Sequence, residues 1–384
     1  MQDNPIFKSK LPGLKESIFS VMSKLAVKEQ AINLSQGYPD FDIHPALADK
    51  TSKYIKNGFN QYAPMAGVMS LREKIADKMS SLYGANYDPE KEITITPGAT
   101  SAIYIAIGAV ISEGDEVIII DPAYDAYAPA VSMNGGVPIH YSLSAPDYKI
   151  NWSELKQRIS IKTKMIIVNT PQNPSGTILS DEDMKQLEKV AESYDLAVLS
   201  DEVYEHIVFD GLQHHSACKY PNLKKRTFLV FSFGKTYHVT GWKIGYVLAP
   251  EYFTAEFRKI YQYAVYATNT PMQYALTEIM ADEDLYRSLG AFYQEKRDVF
   301  RRAVEGSRFE ILPCHGSYFQ SLSFKNISDQ ASIAFAEELA IQHKVASVPS
   351  SVFYHRKHDD KVLRFCFAKK NETLEKAGEI LCKI

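Results

Sequence analysis

The chain has 384 residues, enough for two to three domains at about 150 residues each. At 45% hydrophobic and 23% charged it has the make-up of a globular protein, which excludes a disordered, collagen-like or disulfide-scaffold chain. Lys+Arg 43 against Asp+Glu 46 leaves a formal charge of -3, and the densest basic run is only Lys224-Lys225-Arg226; nucleic-acid binders concentrate Lys and Arg into longer stripes, so no nucleic-acid partner is expected.

The first residues, Met1-Gln2-Asp3-Asn4-Pro5, hold no basic stretch leading into an apolar core, so no signal peptide is expected. The longest apolar run, Ala102 to Ile111, falls well short of the ~20 residues that span a bilayer, so no membrane partner is expected either. Cys218, Cys314, Cys366 and Cys382 lie far apart, with no CxxC pair and no histidine at ligand spacing. They read as reduced thiols of a cytoplasmic protein, and no metal site is expected.

Val68, Leu71, Ile75, Met79 and Leu82 recur at three- and four-residue steps, which makes one apolar helix face. A strand, Ile93–Thr96, stops at Pro97-Gly98, and Thr100-Ser101 are good N-cap types for the apolar helix after it. Glu116–Ile120 is a buried-type strand ended by Asp121-Pro122, followed by a helix over about 125–134. Lys164–Asn169 repeats that form, and a helix over Asp181–Tyr194 leads to the strand Ala197–Ser200. Phe228–Phe231 and Ile244–Leu248 complete six or seven short strands. Beyond about residue 285 the pattern changes: a long helix (285–304), strands near 309–312 and 318–322, a helix over 332–343, a strand over 362–367 and a terminal helix.

Near-continuous apolar strands alternating with amphipathic helices predict an α/β domain with a mainly parallel sheet covered on both faces, joined to a smaller α+β unit. The expected division is residues 1–45 as an N-terminal arm and part of the small domain, 46–284 as the large domain and 285–384 as the small domain. In open parallel sheets ligands bind beyond the C-terminal strand ends. Those turns here are Gly98–Thr100, Asp121–Tyr124, Asn169–Asn173, Asp201–Tyr204 and Ser232–Lys235. A buried acid, Asp201, and a lysine, Lys235, at one sheet edge are the pattern of a site with tuned proton affinities.

The motifs Asn169-Thr-Pro-Gln-Asn173-Pro-Ser-Gly176, Asp201-Glu-Val-Tyr204, Ser232-Phe-Gly-Lys235-Thr and Thr240-Gly-Trp-Lys243-Ile-Gly245 occur in this order. With Ser35-Gln-Gly37, Asn60-Gln-Tyr62, Thr96-Pro-Gly-Ala-Thr100 and Arg364-Phe-Cys-Phe367 they span nearly the whole chain. The set resembles the class I aminotransferases among the fold-type-I pyridoxal 5'-phosphate (PLP) enzymes, nearest the bacterial methionine aminotransferase branch, related to kynurenine aminotransferase and glutamine transaminase K. The resemblance implies a large domain with a mainly parallel seven-stranded sheet sandwiched by helices, plus a smaller α+β domain.

It also implies roles. Lys235 is the amine that holds the cofactor's aldehyde and later carries a proton. Asp201 sits beside the ring nitrogen, where opposite charges ~4 Å apart attract by roughly 4 kcal/mol at an effective dielectric of ~20. Tyr204 and Asn173 serve the ring's phenolic oxygen, and Tyr124 stacks on the ring. Ala99, Thr100, Ser232 and Lys243 hold the phosphate; many relatives carry arginine at the position of Lys243 and serine at that of Gly234. Tyr62 reaches the phosphate of the neighbouring subunit, which presupposes a homodimer. Gly37, Asn173 and Arg364 meet the substrate, Arg364 through its carboxylate. Phe19 and Tyr38 are candidate pocket walls, and Gly37-Tyr38-Pro39 a closing loop.

Dicarboxylate-specific relatives place a second arginine just before the proline that here is Pro271; none lies between Tyr261 and Pro271. The expected donors are therefore methionine, then aromatic amino acids, histidine or glutamine, with a 2-oxo acid as acceptor. A carbon–sulfur β-lyase shares the same Lys, Asp, Tyr and Arg roles and stays open at this point. A non-catalytic PLP-binding regulator would need a DNA-binding module, for which no basic helix-turn-helix pattern is present.

Overall fold

The computed structural model describes residues 9–356 and 358–384; Met1–Pro5, where a leader was sought, lies outside them. After a helix, Ile18–Lys28, comes a two-residue strand, Ile32–Asn33 (β1). The large sheet then takes Ile93–Thr96 (β2), Glu116–Asp121 (β3), Val137–Ser142 (β4), Thr163–Asn169 (β5), Ala197–Asp201 (β6), Thr227–Ser232 (β7) and Gly245–Leu248 (β8). Its order is β2-β8-β7-β6-β5-β3-β4. β3, β4, β5, β6 and β7 pair in parallel, whereas β8 runs antiparallel to both β7 and β2. One reversed strand in seven agrees with the mainly parallel sheet expected from the sequence.

The continuous apolar runs have a direct cause. Val117, Ile119, Met165, Ile167, Leu199, Phe228 and Val230 enter one core with Ala102, Ile105 and Ala106 of the helix Ala99–Val110. Ile118, Ile120, Ile166, Val168, Val198, Leu229 and Phe231 enter the core on the other face. Both faces are therefore buried, and each fully buried Ile, Val or Phe contributes roughly 1.5–3 kcal/mol.

Glu310–Ile311 (β9), Phe319–Ser323 (β10), Val345–Ala346 (β11), Val348–Pro349 (β12) and Val362–Cys366 (β13) follow. They form an antiparallel sheet of order β12-β13-β10-β9, while β11 pairs in parallel with β1. The N-terminal segment is thereby tied to the C-terminal part of the chain. Helices Leu289–Val304 and Asn371–Leu381 cover this sheet, and Gly378 lets them meet: a Cβ there would lie 2.3 Å from that of Ala303. No helix among the described residues is long and apolar enough to cross a membrane.

Several elements differ from the sequence reading. β4 was not predicted; as an edge strand it is half exposed, so its run Val137-Pro-Ile-His-Tyr-Ser142 carries no buried pattern. The apolar helix starts at Ala99, capped by Gly98 and not by Thr100 or Ser101. The helix expected over 125–134 is shorter, Tyr127–Met133. The long helix divides into Asp284–Arg287 and Leu289–Val304, with the poor helix formers Ser288 and Gly290 at the break.

Candidate active site

The C-terminal ends of β3, β5, β6 and β7 and the start of the helix Ala99–Val110 converge on a cavity of about 280 Å³. It is closed from the other side by the loop after β1 and by β10 and β13. Lys235, Asp201, Tyr204, Tyr124, Asn173, Ala99, Thr100, Ser232, Lys243, Gly37 and Arg364 all line it. Tyr62 does not: it is 83% exposed and borders a separate surface hollow with Asn269 and Pro271, its ring edge-on to Tyr266 at 5.4 Å. Phe19 lines the cavity, but the expectation for Tyr38 fails. Its ring is partly exposed beside Lys369, whose Nζ donates to the Tyr38 carbonyl at 2.7 Å.

Lys235 lies in the short helix Phe233–Thr236 that β7 delivers to the cavity. Its Nζ donates to the hydroxyl of Tyr318 at 2.6 Å and to the carbonyl of Gly37 at 3.1 Å. Burial pushes this amine down to about 8, helped by Lys243 and Arg364 and opposed by Cys366 and Asp201. Asp201 ends β6; its Oδ2 accepts from Tyr127 at 2.6 Å and its Oδ1 from the backbone N–H of Val203 at 3.3 Å. Burial nevertheless raises its carboxyl to about 6, more than these bonds and the attraction of Lys235 offset. Asp201 and Lys235 attract across the cavity without forming a direct ion pair.

A hydrogen-bond chain runs along one wall. Asn169 Nδ2 donates to the Asp201 carbonyl at 2.8 Å, Asn169 Oδ1 accepts the backbone N–H of Asn173 at 2.8 Å, and Asn173 Oδ1 accepts from Arg364 Nη1 at 2.6 Å. Arg364, carried by β13, is 1% exposed; its Nη2 donates to the Ser35 carbonyl at 2.9 Å. Its guanidinium lies 3.9 Å from the centre of the Phe319 ring, with Phe19 and Phe353 at 5.1 and 5.2 Å. Burial lowers its proton affinity to about 10, which leaves it charged at neutral pH. Its buried Nε has no partner. An unpaired buried donor is costly, so the guanidinium has a bond left to make.

The opposite end of the cavity is cationic. Gly98 has φ +80°, and a Cβ there would lie 3.3 Å from both Cε and Nζ of Lys243. The Lys243 side chain therefore crosses directly over the start of the helix Ala99–Val110, whose first N–H groups have no intrahelical acceptor. Gly245 lets the strand beside it come close, since a Cβ would meet the Ala99 nitrogen at 3.0 Å. Tyr124 stands between the two ends, its hydroxyl 3.5 Å from Thr100 Oγ1 and its ring edge-on to Tyr127. Gly37 is needed as well: a Cβ there would meet the Phe319 ring at 2.8 Å.

Sequence reasoning missed Tyr318, Tyr127 and Phe353. Tyr127 stands three residues after Tyr124, at the start of the next helix, and was open to recognition. Tyr318 and Phe353 come from the distant C-terminal part of the chain and read there as ordinary apolar positions.

Residues 29–381 match the family model described as "Aminotransferase class I and II". The chain belongs to the class I and II aminotransferases. It is 45% identical to the methionine aminotransferase of Escherichia coli (strain K12), covering 99% of both chains. It is 33% identical to human kynurenine–oxoglutarate transaminase 3, covering 97% of this chain and 89% of the other. The crystal structure of YbdL from Escherichia coli, for which a methionine aminotransferase function was identified, superposes with a TM-score of 0.97 at 45% identity, over 99% of this chain and 100% of that one.

As an aminotransferase of this family the protein depends on PLP, and the cavity fits that cofactor. A helix start overlain by Lys243, with glycine where a Cβ would intrude, suits a phosphate. A buried carboxylate raised to about 6 for want of a facing cation suits a protonated ring nitrogen. A buried amine at about 8 suits an aldehyde.

Proposed function

We propose that this aminotransferase takes the amino group from methionine, and next from aromatic amino acids, histidine or glutamine, and passes it to a 2-oxo acid in alternating half-reactions. The observation that carries this is Arg364, a buried guanidinium that lines the same cavity as Lys235. The lysine and arginine side chains lining that cavity are Lys235, Lys243 and Arg364. Each has a task, and no further lysine or arginine among the described residues lines the cavity. Phe19 and Phe319 offer apolar and aromatic walls, which suit a thioether or an aromatic ring. The 45% identity with a methionine aminotransferase supports the same donor.

Bound PLP supplies an aldehyde that takes up the amino group and an electron-poor ring that draws the electron pair from Cα. The chain's own residues do the rest. Lys235 Nζ, lowered to about 8, has a substantial neutral fraction near pH 7–8; it holds the aldehyde at rest and moves a proton away from Cα when released. Asp201 keeps the ring nitrogen protonated, and Tyr127 orients Asp201. Because Asn173 Oδ1 faces Arg364, its Nδ2 is left to donate to the phenolic oxygen alongside Tyr204. Tyr124 covers the ring, while Ala99, Thr100, Ser232 and Lys243 hold the phosphate. Arg364 binds the substrate carboxylate, with Gly37 and Asn173 beside it.

The active form is a homodimer, in which the exposed Tyr62 reaches the neighbouring subunit's phosphate. Four free cysteines suit the cytoplasm. The placement of the large sheet within residues 93–248 and of the antiparallel sheet within 310–366 supports a large domain over 46–284 and a small one formed by 1–45 with 285–384.

A half-reaction panel tests this reading: each amino acid is mixed with the loaded enzyme and the visible absorbance of the cofactor is followed. Methionine gives the fastest conversion, and aspartate and glutamate are slower by at least about tenfold. Faster conversion with a dicarboxylate, or release of ammonia and methanethiol in place of a new amino acid, overturns it.

A further inference from the structure

Tyr318 has no part in the roles above, yet it is the nearest partner of the reacting amine. It is 1% exposed, and its ring is fixed by edge-on packing against Tyr204 at 5.0 Å and Phe319 at 4.9 Å, with Tyr293 at 5.7 Å. Its hydroxyl accepts from Lys235 Nζ at 2.6 Å and donates to the carbonyl of Gly37. Lys235 Nζ donates to that same carbonyl at 3.1 Å. Amine, phenol and carbonyl therefore close a three-membered ring of hydrogen bonds.

We propose that Tyr318 is a positioning residue for the proton-carrying amine: together with the Gly37 carbonyl, its hydroxyl holds Lys235 in both protonation states while the lysine is detached from the cofactor. A carbonyl can only accept, so alone it serves the ammonium. A phenol both donates and accepts. When Lys235 is an ammonium, the phenolic oxygen accepts from it and the phenolic O–H donates to the Gly37 carbonyl. When the amine is neutral, that proton turns to the nitrogen lone pair, and an amine hydrogen keeps the bond to Gly37. The amine thus stays aimed at one point through the proton transfer, without reorganising water.

The same cradle ties Lys235 to substrate binding. Ser35, two residues before Gly37, gives its carbonyl to Arg364, so one short loop is held at one end by the carboxylate-binding arginine and at the other by the lysine cradle.

The other groups that act on Lys235 are Asp201 from β6, Arg364 and Cys366 from β13, and Lys243 from the loop before β8. Tyr204 presents its ring 5.6 Å from Nζ. Among these and Tyr318, only Tyr318 is hydrogen-bonded to Nζ. Removing its hydroxyl takes a charge-assisted bond from the ammonium and a weaker neutral one from the amine, so the net effect lowers the amine's proton affinity further.

The inference rests on Lys235 being the amine that holds the cofactor. The test uses full-length enzyme converted by excess methionine to the amino-loaded form, in which Lys235 is free. The pH dependence of acylation at Lys235 by an amine-selective reagent is read by peptide mass spectrometry. In Tyr318→Phe, which keeps the ring and its packing, the midpoint moves down by about one pH unit, a tenfold change in proton binding. kcat for the return half-reaction falls at least about tenfold, with KM little changed. Tyr293→Phe is the control: it removes a buried hydroxyl that has no partner, from a ring packed on Tyr318, and leaves the midpoint where it was. An unmoved midpoint in Tyr318→Phe, or an equal shift in Tyr293→Phe, overturns the proposal. Failure of the underlying assignment looks different: the cofactor's colour then survives in Lys235→Ala.

Discussion

Asp201→Asn separates two effects of one buried charge. In protein stripped of cofactor, burial raises the Asp201 carboxyl to about 6 from its ordinary value of 3.8. Between those pH values the folded chain keeps a proton that the unfolded chain has released, so stability is lost as pH climbs from about 4 through 6. At 1.36 kcal/mol per pH unit, the gap of about two units amounts to roughly 3 kcal/mol by pH 7. Asparagine is close in shape and can still accept from Tyr127, but it has no such titration. The stability of the stripped variant relative to wild type therefore rises by roughly 3 kcal/mol between pH 4 and pH 7. With an unfolding entropy of about 2.1 cal/mol/K per residue, that is a shift of about 4 °C in the melting midpoint for a chain of this length. In loaded enzyme the same substitution removes the partner of the ring nitrogen. The roughly 4 kcal/mol of attraction available there makes the fall in half-reaction rate as large as about 10³. Scanning calorimetry across pH, paired with stopped-flow half-reactions, reads both effects. A stripped variant that melts in parallel with wild type from pH 4 to pH 7, or a loaded one that reacts at the wild-type rate, refutes the reasoning.

Arg364→Ala removes charge-assisted bonds worth about 2–4 kcal/mol, so kcat/KM falls about 30- to 1,000-fold, and by similar factors for methionine and phenylalanine because the carboxylate is common to both. A loss confined to one of them, measured by steady-state kinetics, counts against the carboxylate role. Gly98→Ala forces a left-handed φ of +80° on a residue with a Cβ and crowds Lys243. Reloading titrations of stripped protein therefore show PLP affinity weakened about tenfold or more. Wild-type affinity in that variant would place the phosphate elsewhere.

Much of this architecture could be read from the chain because its causes are local. Strands buried on both faces announce themselves as apolar runs, and their ends deliver the polar turns that hold Asp201, Asn173 and Lys235. β4 escaped because an edge strand half in water has no such run to show. The helix start was placed two to three residues too late because Gly98, at positive φ, caps it through backbone geometry and not through a side-chain oxygen. Tyr318 escaped for a different reason. Its partner is about 80 residues away in sequence, and nothing beside it in the chain marks a hydroxyl aimed at an amine. Tyr38, a candidate pocket wall, is instead exposed and does not line the cavity.

The account stands on Lys235 as the attachment point of the cofactor. Borohydride reduction of freshly purified enzyme, followed by peptide mass spectrometry, fixes the aldehyde to whichever amine carries it. The predicted result is a single phosphopyridoxyl increment on Lys235 in wild type, and neither increment nor yellow absorbance in Lys235→Ala. An increment on a different lysine, or full colour retained by the alanine variant, contradicts the account.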